Sequence, residues 1–450
     1  MKKYLFTALV LICISCHCIA QSNVLTLREC IEMGIENNLA LQAAGKDMVK
    51  ADINKTDSRM RLLPVIQGFG SFTDNFEPGT GVSDGSTIGK ALGIDMPYLT
   101  TKGVQYVTSA GLQLSMPLYN QGIYSGISIA GKLEEITGYS YEKAKEDLTV
   151  EISSQYFLGQ ATFKQQSLVQ DNISRLEQLE QITVAFYDNG MALEVDVKRV
   201  GINLENLRTQ LEDVQSRYER QLNLIRYILN LPPEHEFALE PIPETPEEDT
   251  EYLYAGLSSD LYELKILNAQ QELTERQLKA IKSGYIPSLA LVGQTSYTKA
   301  TNRFADYFES NTPTDWYNNT YLGLALNIPV FDGMAKRNKV KQANIDYEKL
   351  QITKNDIESK LNTQYMNALS EWNTHSLNLK KQRGNYQLAE DVYVVTSDRY
   401  KEGIASMTEL LQDELRVSEA QSNYISSLFQ YMAAELRVLK LTGQLDQLMQ

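Results

Sequence analysis

One short phrase occurs twice in this chain, at residues 111–120 and again at 323–332. Both copies begin Gly-Leu-x-Leu and carry a proline at the same place, Pro117 in the first and Pro329 in the second. Each copy belongs to a stretch in which apolar residues alternate with small or polar ones, and only Val107 breaks the first alternation. A period of two predicts a strand with one apolar face and one small or polar face. A long helical pattern follows each copy, so the chain is organised as a strand leading into a long helix, twice.

The duplication extends over most of the chain. In each half an earlier helix stops at a proline, Pro64 or Pro287, and a further strand and a polar loop precede the alternating strand. The first of these loops is predicted over 74–102. The turns that follow the two long helices also match, Tyr187-Asp188-Asn189-Gly190 with Tyr400-Lys401-Glu402-Gly403, as do Asp196 and Glu409 beyond them. Such ordered self-similarity indicates an internal structural repeat.

The helical stretches are too long for a compact globule. The first is predicted over 121–188 and the second over 334–400, and each returns after a turn as another helix. At a rise of ~1.5 Å per residue the first spans on the order of 100 Å. Steps of four and three alternate, with one repeated step of four, along the apolar seam of the first return helix: Leu193, Val197, Val200, Leu204, Leu207, Leu211, Val214, Tyr218, Leu222, Ile225 and Leu229. This spacing predicts antiparallel coiled-coil packing.

The N-terminus predicts export. Residues 1–20 have the form of a signal peptide, with a positive start, an apolar stretch and a small-residue cleavage site at Ala20. An alternative makes Cys16 a lipidated N-terminus. Cleavage after Ala20 leaves Cys30 as the single cysteine, which excludes an intramolecular disulfide.

The charge of the mature chain argues against nucleic acid as a partner. Removal of Lys2 and Lys3 leaves 40 basic residues (42 less two) against 57 acidic ones, a net charge of −17. No segment after the signal peptide offers the ~18 apolar residues that a spanning helix needs. Membrane insertion would therefore have to use strands.

Two strands in each half give four, which are too few to close a barrel. An open edge in lipid leaves backbone groups unpaired at several kcal/mol each, and bacterial barrels begin at about eight strands. Several chains would therefore share one barrel, and three chains with four strands each would give twelve strands. The predicted fold is an α+β membrane protein, internally duplicated, with long antiparallel coiled-coil helices. The alternative is a soluble sheet packed on helices, in which the apolar face would meet a core. The other face carries Gln105, Ser109, Gln113 and Ser115, which suit a water-filled lumen and so favour the shared barrel.

The duplicated order, the two Gly-Leu-x-Leu-x-x-Pro phrases and the two Tyr-x-x-Gly turns together resemble the TolC family of outer-membrane efflux and secretion channels. The resemblance covers essentially all of residues 25–441. It implies a homotrimer with a shared twelve-stranded transmembrane β-barrel in the outer-membrane lipid bilayer. It also implies a periplasmic helical tunnel, a mixed equatorial belt, and an inner-membrane pump reached through a periplasmic adaptor (membrane fusion) protein.

This organisation predicts five segments. They are the signal peptide at 1–20, a first repeat at 21–231, a Pro/acid-rich linker of the belt at 232–258, a second repeat at 259–442 and a C-terminal tail at 443–450.

No residue set points to catalysis. The mature chain keeps two distant histidines, His235 and His375, and one cysteine, which make neither a metal set nor a Cys/His pair. We expect no enzyme, no cofactor and no metal site.

The resemblance places the functional residues at the turns after the long helices, where three copies of each hairpin would converge and narrow the tunnel. Glu409 lies where the family carries a pore-facing acid, and three such carboxylates would attract cations. The family's second pore acid falls at Gln412, for which Asp413 is a possible substitute.

A latch is also expected at these turns. Tyr400 and Asp196 occupy positions where a hydrogen bond between neighbouring hairpins could hold the tunnel shut, and the alternative is that Tyr400 merely caps its own turn. The basic residue that the family often carries two after the glycine is Ala405 here. Gly190 and Gly403 are expected to supply positive φ.

The predicted function is therefore that of an outer-membrane exit duct in a tripartite efflux system, through which small molecules or drugs are exported passively. A type I protein-secretion duct stays open as an alternative. A soluble periplasmic coiled-coil scaffold is the alternative from a different class.

Overall fold

The computed structural model describes residues 23–242, 254–309 and 315–449. The predicted signal peptide, Cys16 and residues 243–253 of the predicted linker lie outside the described residues. The chain forms two compact units, one from the described parts of 1–48, 137–268 and 352–450 and the other from 49–136 and 269–351. Each unit takes segments from both halves of the sequence duplication. The division into signal peptide, repeats, linker and tail stays a prediction.

The long helices predicted from periodicity are confirmed. The helices are α1 (Leu27–Asn37), α2 (Leu39–Met60), α3 (Ser86–Leu92), α4 (Gln121–Asp188), α5 (Glu194–Ile228), α6 (Tyr262–Ser283), α7 (Ala335–Lys401) and α8 (Met407–Thr442), with 3₁₀ turns at Phe304–Tyr307 and Leu445–Met449. The strands are β1 (Asn23–Leu25), β2 (Val65–Asp74), β3 (Thr80–Asp84), β4 (Tyr98–Lys102), β5 (Tyr106–Tyr119), β6 (Phe237–Leu239), β7 (Ser288–Thr301) and β8 (Tyr317–Asn327). Among the described helices, none has the length and apolar character needed to cross a membrane.

In the first unit, the predicted seam of α5 becomes part of the core. Its buried members are Val200, Leu204, Val214, Tyr218, Leu222, Ile225 and, just beyond the helix, Leu229. Leu193 is exposed instead because it stands at the N-cap, before the helix begins. Burial of such side chains stabilises the hairpins by roughly 1.5–3 kcal/mol each relative to exposure.

The N-terminal part of the first unit is fixed by a capping box, which the sequence predicts because Glu29 follows Thr26 by three residues. The Thr26 hydroxyl accepts a hydrogen bond from the Glu29 N–H at 3.2 Å, and the Glu29 carboxylate accepts one from the Thr26 N–H at 2.9 Å. Both contacts satisfy donors that would otherwise be unpaired at a helix start. They orient α1 so that Cys30 and Ile31 are fully buried.

The predicted linker contains an unforeseen strand. Residues of β6 pair in parallel with β1, with Phe237 opposite Asn23 and Leu239 opposite Leu25. This pairing ties the start of the described chain to the region between the two halves. Strands this short carry no readable period, so the sequence gives no signal for the pairing.

In the second unit, β2, β5, β7 and β8 form one antiparallel sheet in that order. The register puts most of the large apolar residues of the four strands on one face, among them Ile66, Leu112, Leu114, Leu291, Leu322 and Leu324. The opposite face carries a row of partners in register: Gln67, Gln113, Gln294 and Tyr321. The two-faced strands predicted from alternation are therefore confirmed.

The prediction of a loop over 74–102 is wrong. That segment holds the antiparallel pair β3 and β4 with α3 between them. The two strands are stabilised by pairing with each other rather than by a buried face, and for this reason their sequences lack the alternation that marks β5.

Candidate functional site at the hairpin turns

The two turns that join the long helices have the same backbone. Gly190 and Gly403 have φ of 73° and 76°, in the left-handed region that favours glycine. At the first turn the Met191 N–H donates to the Phe186 carbonyl at 2.7 Å, and at the second the Ile404 N–H donates to the Arg399 carbonyl at 2.8 Å. Both glycines also donate to the carbonyl three residues before them. These paired bonds form a Schellman motif that ends α4 and α7.

Tyr400 lies inside the packing between the two hairpins. Its side chain is 6% exposed, and its ring lies 5.8 Å from that of Phe186 on α4. Its hydroxyl lies 3.5 Å from the Thr183 hydroxyl, also on α4. Burial raises the pKa of Tyr400, so the phenol stays protonated and available as a hydrogen-bond donor. Tyr400 thus joins the second hairpin to the first within one chain.

Asp196 is linked toward the second hairpin through an arginine. The Arg199 guanidinium lies 3.1 Å from the Asp196 carboxylate and 3.4 Å from the Thr408 hydroxyl. Because Thr408 stands at the start of α8, this chain of contacts crosses between the hairpins. Sequence reasoning missed Arg199, although its spacing of three from Asp196 on one helix was the available signal.

Glu409 and Asp413 have different surroundings on α8. The Ser406 hydroxyl accepts a hydrogen bond from the Glu409 N–H at 3.2 Å, which caps the helix. The Glu409 carboxylate is half exposed and lies 4.0 Å from the Arg399 guanidinium. Asp413 is buried inside the hairpin, where it accepts a hydrogen bond from the Thr396 hydroxyl at 2.8 Å and pairs with Arg416 at 2.8 Å. Of the two acids, Glu409 is the one whose charge is accessible.

Within residues 23–242, 254–309 and 315–449, no group of three or more His, Cys, Asp and Glu side chains is placed to hold a metal ion.

The chain matches a family of known proteins over most of its length. The family model described as "Outer membrane efflux protein" matches residues 30–231 and 261–444. The chain is 22% identical to the outer membrane protein TolC of Salmonella enteritidis over 76% of this chain and 70% of that protein. It is 21% identical to the probable efflux pump outer membrane protein TtgC of Pseudomonas putida over 93% of this chain and 82% of that protein.

Similarity in fold is also found among solved structures. The outer membrane channel CmeC of Campylobacter jejuni matches with a TM-score of 0.72 at 15% identity, over 93% of this chain and 85% of that chain.

Proposed function

The chain belongs to the outer membrane efflux protein family, and from this premise we propose that it is the exit duct of a tripartite efflux system. It is an outer-membrane transport protein. In the proposal three chains share one twelve-stranded barrel, and their helical hairpins form a periplasmic tunnel through which small molecules pass without energy input from this protein. A periplasmic adaptor protein would connect the tunnel to an inner-membrane pump. The name of the Pseudomonas putida relative, an efflux pump outer membrane protein, supports efflux.

The observation that carries the proposal is the four-stranded sheet. Within the described chain, β2 and β8 each pair along one edge only, and the apolar face includes the exposed side chains of Ile66, Leu112, Leu322, Leu324 and Leu326. A sheet with two open edges in lipid would leave its backbone groups unpaired, whereas three such sheets joined edge to edge would leave none. The apolar face would then meet lipid and the glutamine row would line the lumen.

The lumen of that barrel would carry no charge. None of the residues on the polar face of the paired strands is Asp, Glu, Lys or Arg; the face combines amides, hydroxyls and small residues with a few uncharged apolar side chains, among them Val65, Phe69, Val107 and Val292. Selection by charge would therefore act at the turns, where we assign Glu409 as the pore acid. A ring of three half-exposed carboxylates would attract cations. Tyr400, Asp196 and Arg199 would form the latch that holds the hairpins together.

The test is the mass of the mature protein extracted from outer membranes in detergent, together with its conductance in a planar bilayer. The expected result is a trimer with small, cation-preferring currents. A water-soluble monomer or dimer without conductance would contradict the duct and favour the periplasmic scaffold. Transport of an unfolded polypeptide but not of small molecules would favour a protein-secretion duct.

The role of Glu409 has its own test in the same bilayers. Glu409→Gln should lower the cation-over-anion permeability ratio by about twofold or more, because it removes the ring of charge without changing the shape of the side chain. Glu402→Gln, at an exposed acid of the same turn, is the control and should leave the ratio unchanged. Equal effects of the two variants would show that the acid at 409 has no special place in the pore.

A further inference from the structure

A carboxyl group that the proposed duct does not use is buried between the helical hairpins. Glu414 on α8 is 4% exposed, and within the described chain neither of its carboxylate oxygens has a hydrogen-bond partner. A buried acid without partners is costly when ionised, and it is stable only if a cation compensates it or a proton neutralises it. The apolar packing around Glu414 therefore does not explain why a carboxyl group is buried at this position.

The cation nearest to Glu414 is the Arg175 guanidinium, which also pairs with a second acid, Glu390. Arg175 on α4 lies with its Nε 4.0 Å from the Glu414 carboxylate and with its Nη1 3.4 Å from that of Glu390 on α7. Arg175 also donates to the Asn172 side chain and stacks over the Tyr393 ring at 5.4 Å. One guanidinium thus serves two carboxylates, and the contact with Glu390 is the shorter.

The other charged or titratable groups around Glu414 are already engaged. On α7, the Tyr386 hydroxyl donates to Glu390 at 3.4 Å, and burial raises the pKa of Tyr393 to about 12. On α8 itself, Asp413 and Arg416 pair with each other. Apart from Arg175, these groups offer Glu414 no positive charge.

We propose that Glu414 is a proton-binding site that couples the packing of the two hairpins to pH. When the carboxyl is protonated, Arg175 is left to Glu390 and the contact between α4, α7 and α8 is neutral at this point. When it is ionised, it competes with Glu390 for Arg175 and places a buried negative charge near that of the partly exposed Glu390. Tyr393, over which Arg175 stacks, belongs to a buried cluster that also includes Leu410 and Tyr400, so a weakened contact here loosens the packing that holds the turns.

The direction of the pH effect follows from the burial. Burial raises the pKa of Glu414 from its ordinary 4.5 to about 7, Arg175 opposes the rise, and Glu390 adds to it. Because the pKa of the folded state is the higher one, protonated Glu414 stabilises the packed hairpins fully below about pH 4.5. That stabilisation is lost as the pH rises to about 7 and does not change further above it.

The test is a pH titration of the full-length mature protein in detergent by infrared difference spectroscopy, from about pH 5 to about pH 9. The wild type should show the band of a protonated carboxyl that disappears with a midpoint near 7. The band should be absent from Glu414→Gln and retained in Glu419→Gln, an exposed acid of the same helix. Glu390→Gln should move the midpoint to lower pH because it frees Arg175. A band that Glu414→Gln leaves intact would overturn the proposal.

A second readout links the site to the gate and rests on the proposed function. The closed-state conductance of the wild type should rise severalfold between about pH 5 and about pH 7, the range in which the stabilisation is lost, whereas that of Glu414→Gln should stay at the low-pH level. A titrating carboxyl in a protein that forms no channel would contradict the duct and leave the proton site standing. A conducting trimer with no Glu414 titration would contradict the proton site alone. A conductance that changes equally in both proteins would overturn the link to the gate.

Discussion

The two hairpin turns share a backbone but differ in what surrounds their side chains. Both end in the same Schellman motif, with Gly190 and Gly403 at positive φ. Yet Tyr187 of the first turn is 44% exposed, whereas its counterpart Tyr400 is 6% exposed and packs on Phe186. The repeated sequence therefore determines the path of the chain, and the contact between hairpins determines what each copy of a residue does.

The same contrast separates the two acids beyond the turns. Asp196 follows an N-cap residue, Leu193, that makes no side-chain cap, and its carboxylate is 17% exposed beside Arg199. Glu409 follows Ser406, which caps α8, and its carboxylate is 50% exposed. An enclosed acid suits a link between hairpins, and an exposed acid suits contact with a permeating ion. The duplicated positions thus differ in their surroundings, and we propose separate roles for them.

The largest difference in stability between the two turns is expected when the buried tyrosine is removed. Tyr400→Ala should lower the free energy of unfolding of the helical hairpins by about 3–5 kcal/mol, because a buried aromatic ring is replaced by a cavity. Tyr187→Ala is the matched variant and should change it by no more than about 0.5 kcal/mol. Thermal melting of both variants in detergent, followed by circular dichroism, measures the difference. Similar melting temperatures for the two would mean that burial does not distinguish the turns.

Elements with a strong local period could be predicted from the sequence. The limits of α4 agree with the prediction at both ends, and the α1 capping box lies where Thr26 and Glu29 place it. The two faces of β5 and β8 follow from alternation alone. In each case the determinants lie within a few residues of one another, so the sequence displays them directly.

The features that were missed depend on residues far apart in the chain. The paired strands β1 and β6 are separated in sequence by the entire first hairpin and the segments before it. Glu414 lies near Arg175 only because α8 packs on α4. The contact of Arg199 with Thr408 likewise crosses between hairpins. No local pattern predicts which of many helix acids becomes buried. For the same reason, the sequence did not predict that Asp413 is buried inside the hairpin.

Substitution of the turn glycines should destabilise both turns by the same amount, because the two backbones are equivalent. Gly190→Ala and Gly403→Ala should each cost about 1–2 kcal/mol, because a β-carbon strains a left-handed backbone. Neither β-carbon would meet an atom within 4 Å, so strain is the whole effect. Amide hydrogen exchange at each turn measures the local cost.

Gly384→Ala is the control for these variants. This glycine lies within α7 and its β-carbon would also meet nothing, so the substitution should be neutral or stabilise the helix by up to about 1 kcal/mol. A much larger cost at one turn than at the other would contradict the equivalence of their backbones.

The smallest change in free energy is expected at Asp196, and its effect should appear in conductance instead. Asp196→Ala removes the carboxylate that holds Arg199 beside Thr408, an ion pair worth about 0.2–1 kcal/mol in an accessible setting. In the proposed trimer, three copies of a weak link acting on one closed state would still shift the open population, so the resting current should rise several times over. Asp188→Ala, at the exposed acid of the first turn, should leave that current unchanged. If the closed current of Asp196→Ala equals that of the wild type, the enclosed acid is not part of a latch, and the contact at Tyr400 must hold the hairpins without it.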